Sequence, residues 1–276
     1  MTHVEIPTEL ETFITKTKLY NDGIGYTESW DFSRANLSKE TRIATITKVA
    51  SICYGNEKSI GSISLYDRLA CESIGLPSSS FEFVPILIHK SIYHDKFIFG
   101  TIGNIQTQVS RYGEWVENGT YLLSNLRALI ADKGTKADEF YNTEEECNII
   151  AKHFKVFKWK IPIFTARQAI RHRVTWQELS RRYVSGKRIE LEFYHSDKMH
   201  DSLAVIPLCV TVYNQAIADG IKPEDARQVL PLSLYTTIWS AWLPQQLNNF
   251  YKLRLDSHSQ YEIRELAKAM KGNDNE

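Results

Sequence analysis

The chain is 276 residues long, enough to bury a substantial core without disulfides or a structural metal. At 43% hydrophobic and 24% charged it has the make-up of a globular protein and not of a disordered or fibrous one. Lys plus Arg equals Asp plus Glu at 33 each, so general polyanion binding, which needs an excess of cations, is disfavoured.

Residues 1–10 carry acidic side chains and lack a basic segment followed by an apolar one, so no signal peptide is expected. No apolar run approaches the ~20 residues of a membrane span. The cysteines Cys53, Cys71, Cys147 and Cys209 are widely spaced without a C-x-x-C pair. They read as reduced thiols of a cytoplasmic protein, and no metal site is expected. Between residues 41 and 53 the apolar positions Ile43, Ile46, Val49 and Ile52 fall three apart, which predicts a helix face. Residues 64–75 repeat the pattern with Leu65, Leu69 and Ile74, and Gly75-Leu76-Pro77 stops it. A strand is predicted over 96–102, a helix over 121–131 and a polar stretch over 132–146. Phe157, Trp159 and Ile161 alternate with Lys158 and Lys160, the period of a half-buried strand that Pro162 ends.

Residues 165–173 read as a helix with Thr165 as its N-cap. After the apolar stretch 204–217 and Gly220, Pro223 opens a long helical region reaching Leu255, which Pro231 and Pro244 kink or divide. A last helix is predicted over 257–271, with Ser257 and Gln260 as a capping box. Strand and helix signals interleave without a regular βαβ rhythm, so the fold class is α+β.

The densest chemistry lies between Arg167 and Arg188, where six arginines, one histidine and one lysine face a single acid, Glu178. A solvated face normally mixes signs. Concentration of one sign points to an anionic ligand, because the guanidinium fork matches phosphate; a solvated basic helix is the alternative. Gln168 and Arg171 are three apart and would share a helix face. Glu178, Ser180 and Arg182 alternate at period two, so an extended run would line up carboxylate, hydroxyl and guanidinium. That set suits a nucleoside monophosphate. A bare Glu178–Arg182 charge pair is the simpler reading.

The blocks Arg171-His172-Arg173, Glu178-Leu179-Ser180 and Arg182-Tyr183 resemble the signature of flavin-dependent thymidylate synthases. Three further stretches, 162–168, 226–236 and 249–263, are similar to other family blocks in the right order. Residues 50–55 and 79–82 are weaker counterparts of its opening segments. The resemblance covers roughly two thirds of the chain. It implies a twisted, mostly antiparallel sheet flanked by helices, as one domain over 1–276 with an insertion at 84–152.

The resemblance also implies reductive methylation of dUMP to dTMP, with FAD as redox cofactor, NADPH as reductant and methylenetetrahydrofolate as carbon donor. It implies a homotetramer with active sites at subunit interfaces. FAD falls to Ser79, Arg171, His172, Arg173, Glu178 and Asn249. The nucleotide dUMP falls to Gln168, Arg171, Glu178, Ser180, Arg182, Arg227 and Arg254. Catalysis falls to Arg227, set against the uracil carbonyls, and to Ser180.

This sequence departs from the pattern in several places. Six residues separate Arg173 from Ser180 where the family has seven, and Trp176 stands where it often has a small polar residue. Gly75-Leu76-Pro77-Ser78 replaces a family histidine region, and Leu243 replaces an asparagine. Two other readings stay open: a relative making another 5-substituted deoxyuridylate such as hydroxymethyl-dUMP, and a flavin-less protein that binds RNA or a phosphorylated ligand.

Overall fold

Two antiparallel sheets organise the chain in its computed structural model, which describes residues 14–19, 23–70, 76–94, 107–196, 198–199 and 202–274. Strands β1 (Ile14–Leu19), β2 (Tyr26–Trp30), β6 (Lys155–Pro162), β7 (Thr175–Glu178) and β8 (Tyr235–Trp242) make the larger sheet in the order β1-β2-β6-β8-β7. Strands β3 (Pro85–His89), β4 (Glu114–Val116) and β5 (Tyr121–Asn125) make the smaller, in the order β3-β5-β4. Each neighbouring pair is antiparallel.

The period of two read at 157–161 is borne out. Phe157, Trp159 and Ile161 are fully buried on one face of β6, against Ile238 and Trp242 of β8. Helices α7 (Ile163–Ala169), α10 (Pro244–Arg254) and α11 (Tyr261–Asp274) cover that face, contributing Ala166, Phe250 and Leu266 among others. Burying each of these large side chains stabilises the fold by about 1.5–3 kcal/mol. The other face carries Val156, Trp239 and Ala241 into a second cluster with Trp30 of β2. Trp30 and Trp239 meet edge to face with centroids 4.8 Å apart.

Helix α1 (Lys39–Tyr54) supplies Ile46 and Val49 to that second cluster, as the spacing predicts. Ser38 caps its start by accepting from the Thr41 amide at 3.2 Å, and Gly55 ends it in the left-handed region at φ 55°. A side chain at Gly55 would press mainly on Ile189 Cδ1, the movable end of a side chain, so it is the left-handed backbone that calls for glycine there. Helix α2 (Ile63–Ala70) follows, with Leu65 and Leu69 buried. Ile74 and the stop at Gly75 lie outside the described residues.

Residues 84–152 pack against this second face and share its core. Leu87 of β3, Leu123 of β5 and Leu126 of α5 (Leu126–Lys133) sit in one continuous cluster with Trp30 and Trp239. The short helices α3 (Lys90–His94) and α4 (Gln108–Arg111) and the longer α6 (Glu144–His153) complete the region. The strand predicted at 96–102 lies outside the described residues. The helix predicted over 121–131 is split, because Tyr121–Asn125 pair with β3 and only Leu126 onward coils. Asn125 caps the switch, accepting from the Ala128 amide at 3.0 Å.

Three other expectations are corrected. The long helical region after Pro223 contains strand β8, whose side chains are buried on both faces. Only α9 (Pro223–Ala226), a 3₁₀ turn at Arg227–Val229 and α10 are helical within it. Thr165 is no N-cap, since α7 starts two residues earlier with Pro162 in that role. The last helix starts at Tyr261, and Ser257 gives its carbonyl to Arg264 Nη1 at 2.9 Å instead of capping.

Candidate active site

Helix α7 runs from the end of β6 into the arginine-rich segment and stops at Ala169. Arg171, His172 and Arg173 therefore lie in a turn between α7 and β7, and Arg171 does not continue the helix face of Gln168. Side chains from two directions fix the turn. Trp176 of β7 donates its indole N–H to the His172 carbonyl at 3.0 Å, and its ring packs edge-on against Trp159 and Trp242. From α10, Gln246 donates to the Arg173 carbonyl at 3.2 Å, and Arg254 Nη2 donates to the Gln168 carbonyl at 3.0 Å.

His172 has a defined role in this turn. Its Nε2 accepts from Arg254 Nε at 2.9 Å while its ring lies 5.0 Å from that of Phe250. Burial, and then the Arg254 charge, push its pKa down from 6.5 to about 4, so the imidazole stays neutral and can accept. An unfolded chain protonates between those values whereas the folded chain does not. Stability is therefore full above pH 6.5 and falls as the pH drops from 6.5 to 4. After allowance for solvent screening this is on the order of 1–2 kcal/mol. Urea melts across this range should show the slope in the native chain and lose it in His172→Gln.

Two clefts flank the turn. The first, about 770 Å³, is floored by Glu178, Ser180 and Thr236 and walled by Arg167, Arg227 and Glu224. Burial pushes the Glu178 carboxyl up, opposed by a hydrogen bond from Thr236 and by the charges of Arg167 and Arg227. Arg182 sits at the rim, paired with Glu224 at 3.4 Å. The extended run expected from Glu178 to Arg182 holds only at its start, as β7 ends at Glu178 and the chain turns at Arg181. Arg181 is buried, donating to the carbonyls of Ile189 and Glu190 at 2.9 and 3.1 Å.

The second cleft, about 930 Å³, brings together Arg171, His172, Arg173, Asn249 and Arg254. The candidate residues thus fall into two groups on one chain. Glu178, Ser180 and Arg227 share the first cleft, and the residues of the R-H-R turn and α10 share the second. Gln168 and Ser79 line neither. The Gln168 amide donates to Gln260 Oε1, and the Ser79 hydroxyl donates to Gln177 Oε1 at 2.9 Å.

Sequence reasoning left Arg167 out of the site, although its signal was present. Ile163, Arg167 and Ile170, spaced by four and three, line one cleft together as neighbours on a helix face do. It also left out Arg111, Tyr112 and Glu114, which line the second cleft and carry no mark in the sequence.

Residues 149–273 match the sequence model of the family described as thymidylate synthase complementing protein. A flavin-dependent thymidylate synthase of Thermotoga neapolitana is 36% identical over 128 residues, 41% of this chain and 58% of that protein. One from Thermosipho melanesiensis is 32% identical over 167 residues, covering 49% of this chain and 72% of that protein. The chain belongs to the flavin-dependent thymidylate synthase family. It spans 58% of the length of the Thermotoga neapolitana and Thermosipho africanus family members. The α+β architecture with antiparallel sheets agrees with this membership. Among the described residues no helix is long and apolar enough to cross a membrane. Both clefts draw on the stretch that matches the family, whereas Arg111 to Glu114 lie outside it.

Proposed function

We propose that this chain methylates dUMP reductively to dTMP, with FAD, NADPH and methylenetetrahydrofolate, at sites completed by a neighbouring subunit. The observation that carries the reading is the partition of the family's site residues into two clefts on one chain. One is a carboxylate–hydroxyl–guanidinium cleft and the other a cluster of guanidinium groups.

FAD fits the second cleft by its donor set. Arg111, Arg171, Arg173 and Arg254 line it with one carboxylate, Glu114, which already accepts from the Gln245 amide at 2.9 Å. Such a set suits a pyrophosphate, since guanidinium groups form charge-assisted bonds to its oxygens. When bound, FAD supplies the hydride chemistry of the reaction, drawing on NADPH. Asn249 and His172 belong to the same wall, His172 by holding Arg254 in place.

In the first cleft, Glu178 and Ser180 hold the nucleotide, with Arg182 at its rim. The Arg227 guanidinium is set against the uracil oxygens, where it stabilises the enolate charge that develops as C5 attacks the one-carbon donor. Ser180 keeps the pyrimidine in register for that attack. Arg171, Arg254 and Gln168 reach the nucleotide from a neighbouring subunit.

A homotetramer accounts for the apolar side chains exposed around the first cleft. Helix α8 (Ser202–Ala218) shows Val205, Leu208 and Val212 at 56%, 64% and 45% exposure. Ile170 and Leu232, on the cleft itself, are 42% and 46% exposed. Several exposed apolar side chains on and beside the cleft suit burial between subunits. The 84–152 region is an insertion in the family core, and the free thiols of Cys53, Cys147 and Cys209 suit a cytoplasmic protein.

The test is the visible spectrum of the purified protein with FAD and then dUMP, followed by turnover with NADPH and methylenetetrahydrofolate. The expected result is a flavin band perturbed by dUMP and a product with the mass of dTMP. A product with the mass of hydroxymethyl-dUMP would move the activity to another 5-substituted deoxyuridylate. A colourless protein that ignores FAD but binds RNA with a steep salt dependence would replace the synthase reading altogether.

A further inference from the structure

Among the described residues, the second cleft has a wall that the family stretch does not supply. Helix α4 ends at Arg111, and the chain then passes through Tyr112 and Gly113 into β4. Arg111, Tyr112, Gly113 and Glu114 line the cleft together with the R-H-R turn. Tyr112 also lines a smaller adjoining space of about 310 Å³, with Arg173, Val174, Leu243 and Gln246.

This wall is held in position. Asp132 of α5 accepts from the amides of Gln108 and Val109 at 3.0 and 2.9 Å, anchoring the start of α4. Val109 is fully buried in the core shared by both sheets. At the other end, Glu114 accepts from the Gln245 amide in the first turn of α10, the helix that carries Asn249 and Arg254. Gly113 leaves no room for change, since a Cβ there would lie 2.4 Å from the Val109 carbonyl oxygen. Between these anchors Arg111 and Tyr112 are exposed, with the guanidinium 5.6 Å from the tyrosine ring centroid.

The electrostatics give this pair a purpose. Burial, and then the nearby Arg171 charge, lower the Arg254 pKa, so the cleft already gathers like charges before Arg111 is added. Like charges brought together cost stability unless an anion neutralises them. The single carboxylate is committed to a backbone amide. An exposed aromatic face beside a guanidinium is also a stacking platform for a planar ring.

We propose that Arg111 and Tyr112 form a second, insertion-borne part of the FAD site, Arg111 binding the pyrophosphate together with Arg171 and Arg173 and Tyr112 stacking on a ring of the dinucleotide. This rests on the flavin reading above and extends it to residues outside the family stretch. The 84–152 region is then part of the cofactor site as well as of the core.

The experiment is titration of the full-length protein with FAD, followed by flavin fluorescence, for the native chain and for Arg111→Gln, Arg111→Lys and Tyr112→Ala. Thermal melts establish that each variant is folded, and calorimetric dUMP titration reports the first cleft. Losing one charge-assisted bond should weaken FAD binding about tenfold or more in Arg111→Gln. Arg111→Lys should recover part of it, Tyr112→Ala should weaken it several-fold, and dUMP affinity should stay within twofold of the native value. Folded variants that bind FAD as tightly as the native chain would overturn the wall while leaving the flavin reading intact. A native chain that takes up no FAD overturns the flavin reading first, and the wall with it.

Discussion

Arg227→Ala is expected to lower kcat/KM for dUMP by about two to three orders of magnitude, with FAD occupancy unchanged. Arg227 sits on the 3₁₀ turn after α9, where its Nε donates to the Glu224 carbonyl at 3.3 Å. It lines the cleft that holds Glu178 and Ser180 and is absent from the cleft of the R-H-R turn. A charge aimed at an oxygen that becomes negative only during the reaction contributes to kcat and little to cofactor binding. Arg227→Lys keeps the charge without the planar fork and should retain an intermediate rate. The check is steady-state turnover alongside the flavin absorbance of the same preparation. Loss of flavin with dUMP affinity unaltered would falsify the assignment of Arg227 to the pyrimidine.

Arg42→Ala should cost about 3–5 kcal/mol of folding stability, against a typical total of about 5–15 kcal/mol. Arg42 is 1% exposed, on α1. Its Nε and Nη2 donate to Asn36 Oδ1 at 2.9 and 2.6 Å, and Nη2 also donates to the Phe140 carbonyl at 2.6 Å. Asp138 stands 3.8 Å from Nη1, and the Tyr141 ring centroid is 4.4 Å from the guanidinium carbon. Removing the side chain strands the Asn36 Oδ1 acceptor away from water and opens a cavity, while the Phe140 carbonyl keeps the Asn36 Nδ2 donor at 3.2 Å. Arg42→Met fills the volume and still strands the buried Asn36 oxygen, so it should be nearly as damaging. Equilibrium urea melts report the change. If both variants stay within about 1 kcal/mol of the native chain, the network does not clamp the 84–152 region to α1.

Much of the site was legible because its chemistry is local. The R-H-R block and the run from Glu178 to Arg182 concentrate one charge sign, and no fold is needed to see that concentration or to single the segment out as a candidate. Helix α1 and strand β6 were legible for a similar reason, since each shows one apolar face at its own period and the other face stays partly polar.

Strand β8 was not legible. It is buried on both faces, between Trp159 on one side and Trp30 on the other, so its residues show no alternation. A continuous apolar run flanked by helix signals reads as buried helix until the partner strands are known. The Asn125 boundary was hidden likewise, because whether Tyr121 to Ser124 coil or extend depends on β3, some 35 residues away in the chain.

The sequence by itself therefore determined the fold class, the concentration of arginines between Arg167 and Arg188 and the family, all written in contiguous segments. Only the tertiary structure decided that the site residues divide between two clefts and that Arg227 sits with Glu178 while Arg254 sits with His172. It alone brought Arg111 and Tyr112 to the R-H-R turn. Such meetings join residues about 50 to 80 positions apart, and nothing in a local pattern of charge or hydropathy records which distant segment the shared core will bring alongside.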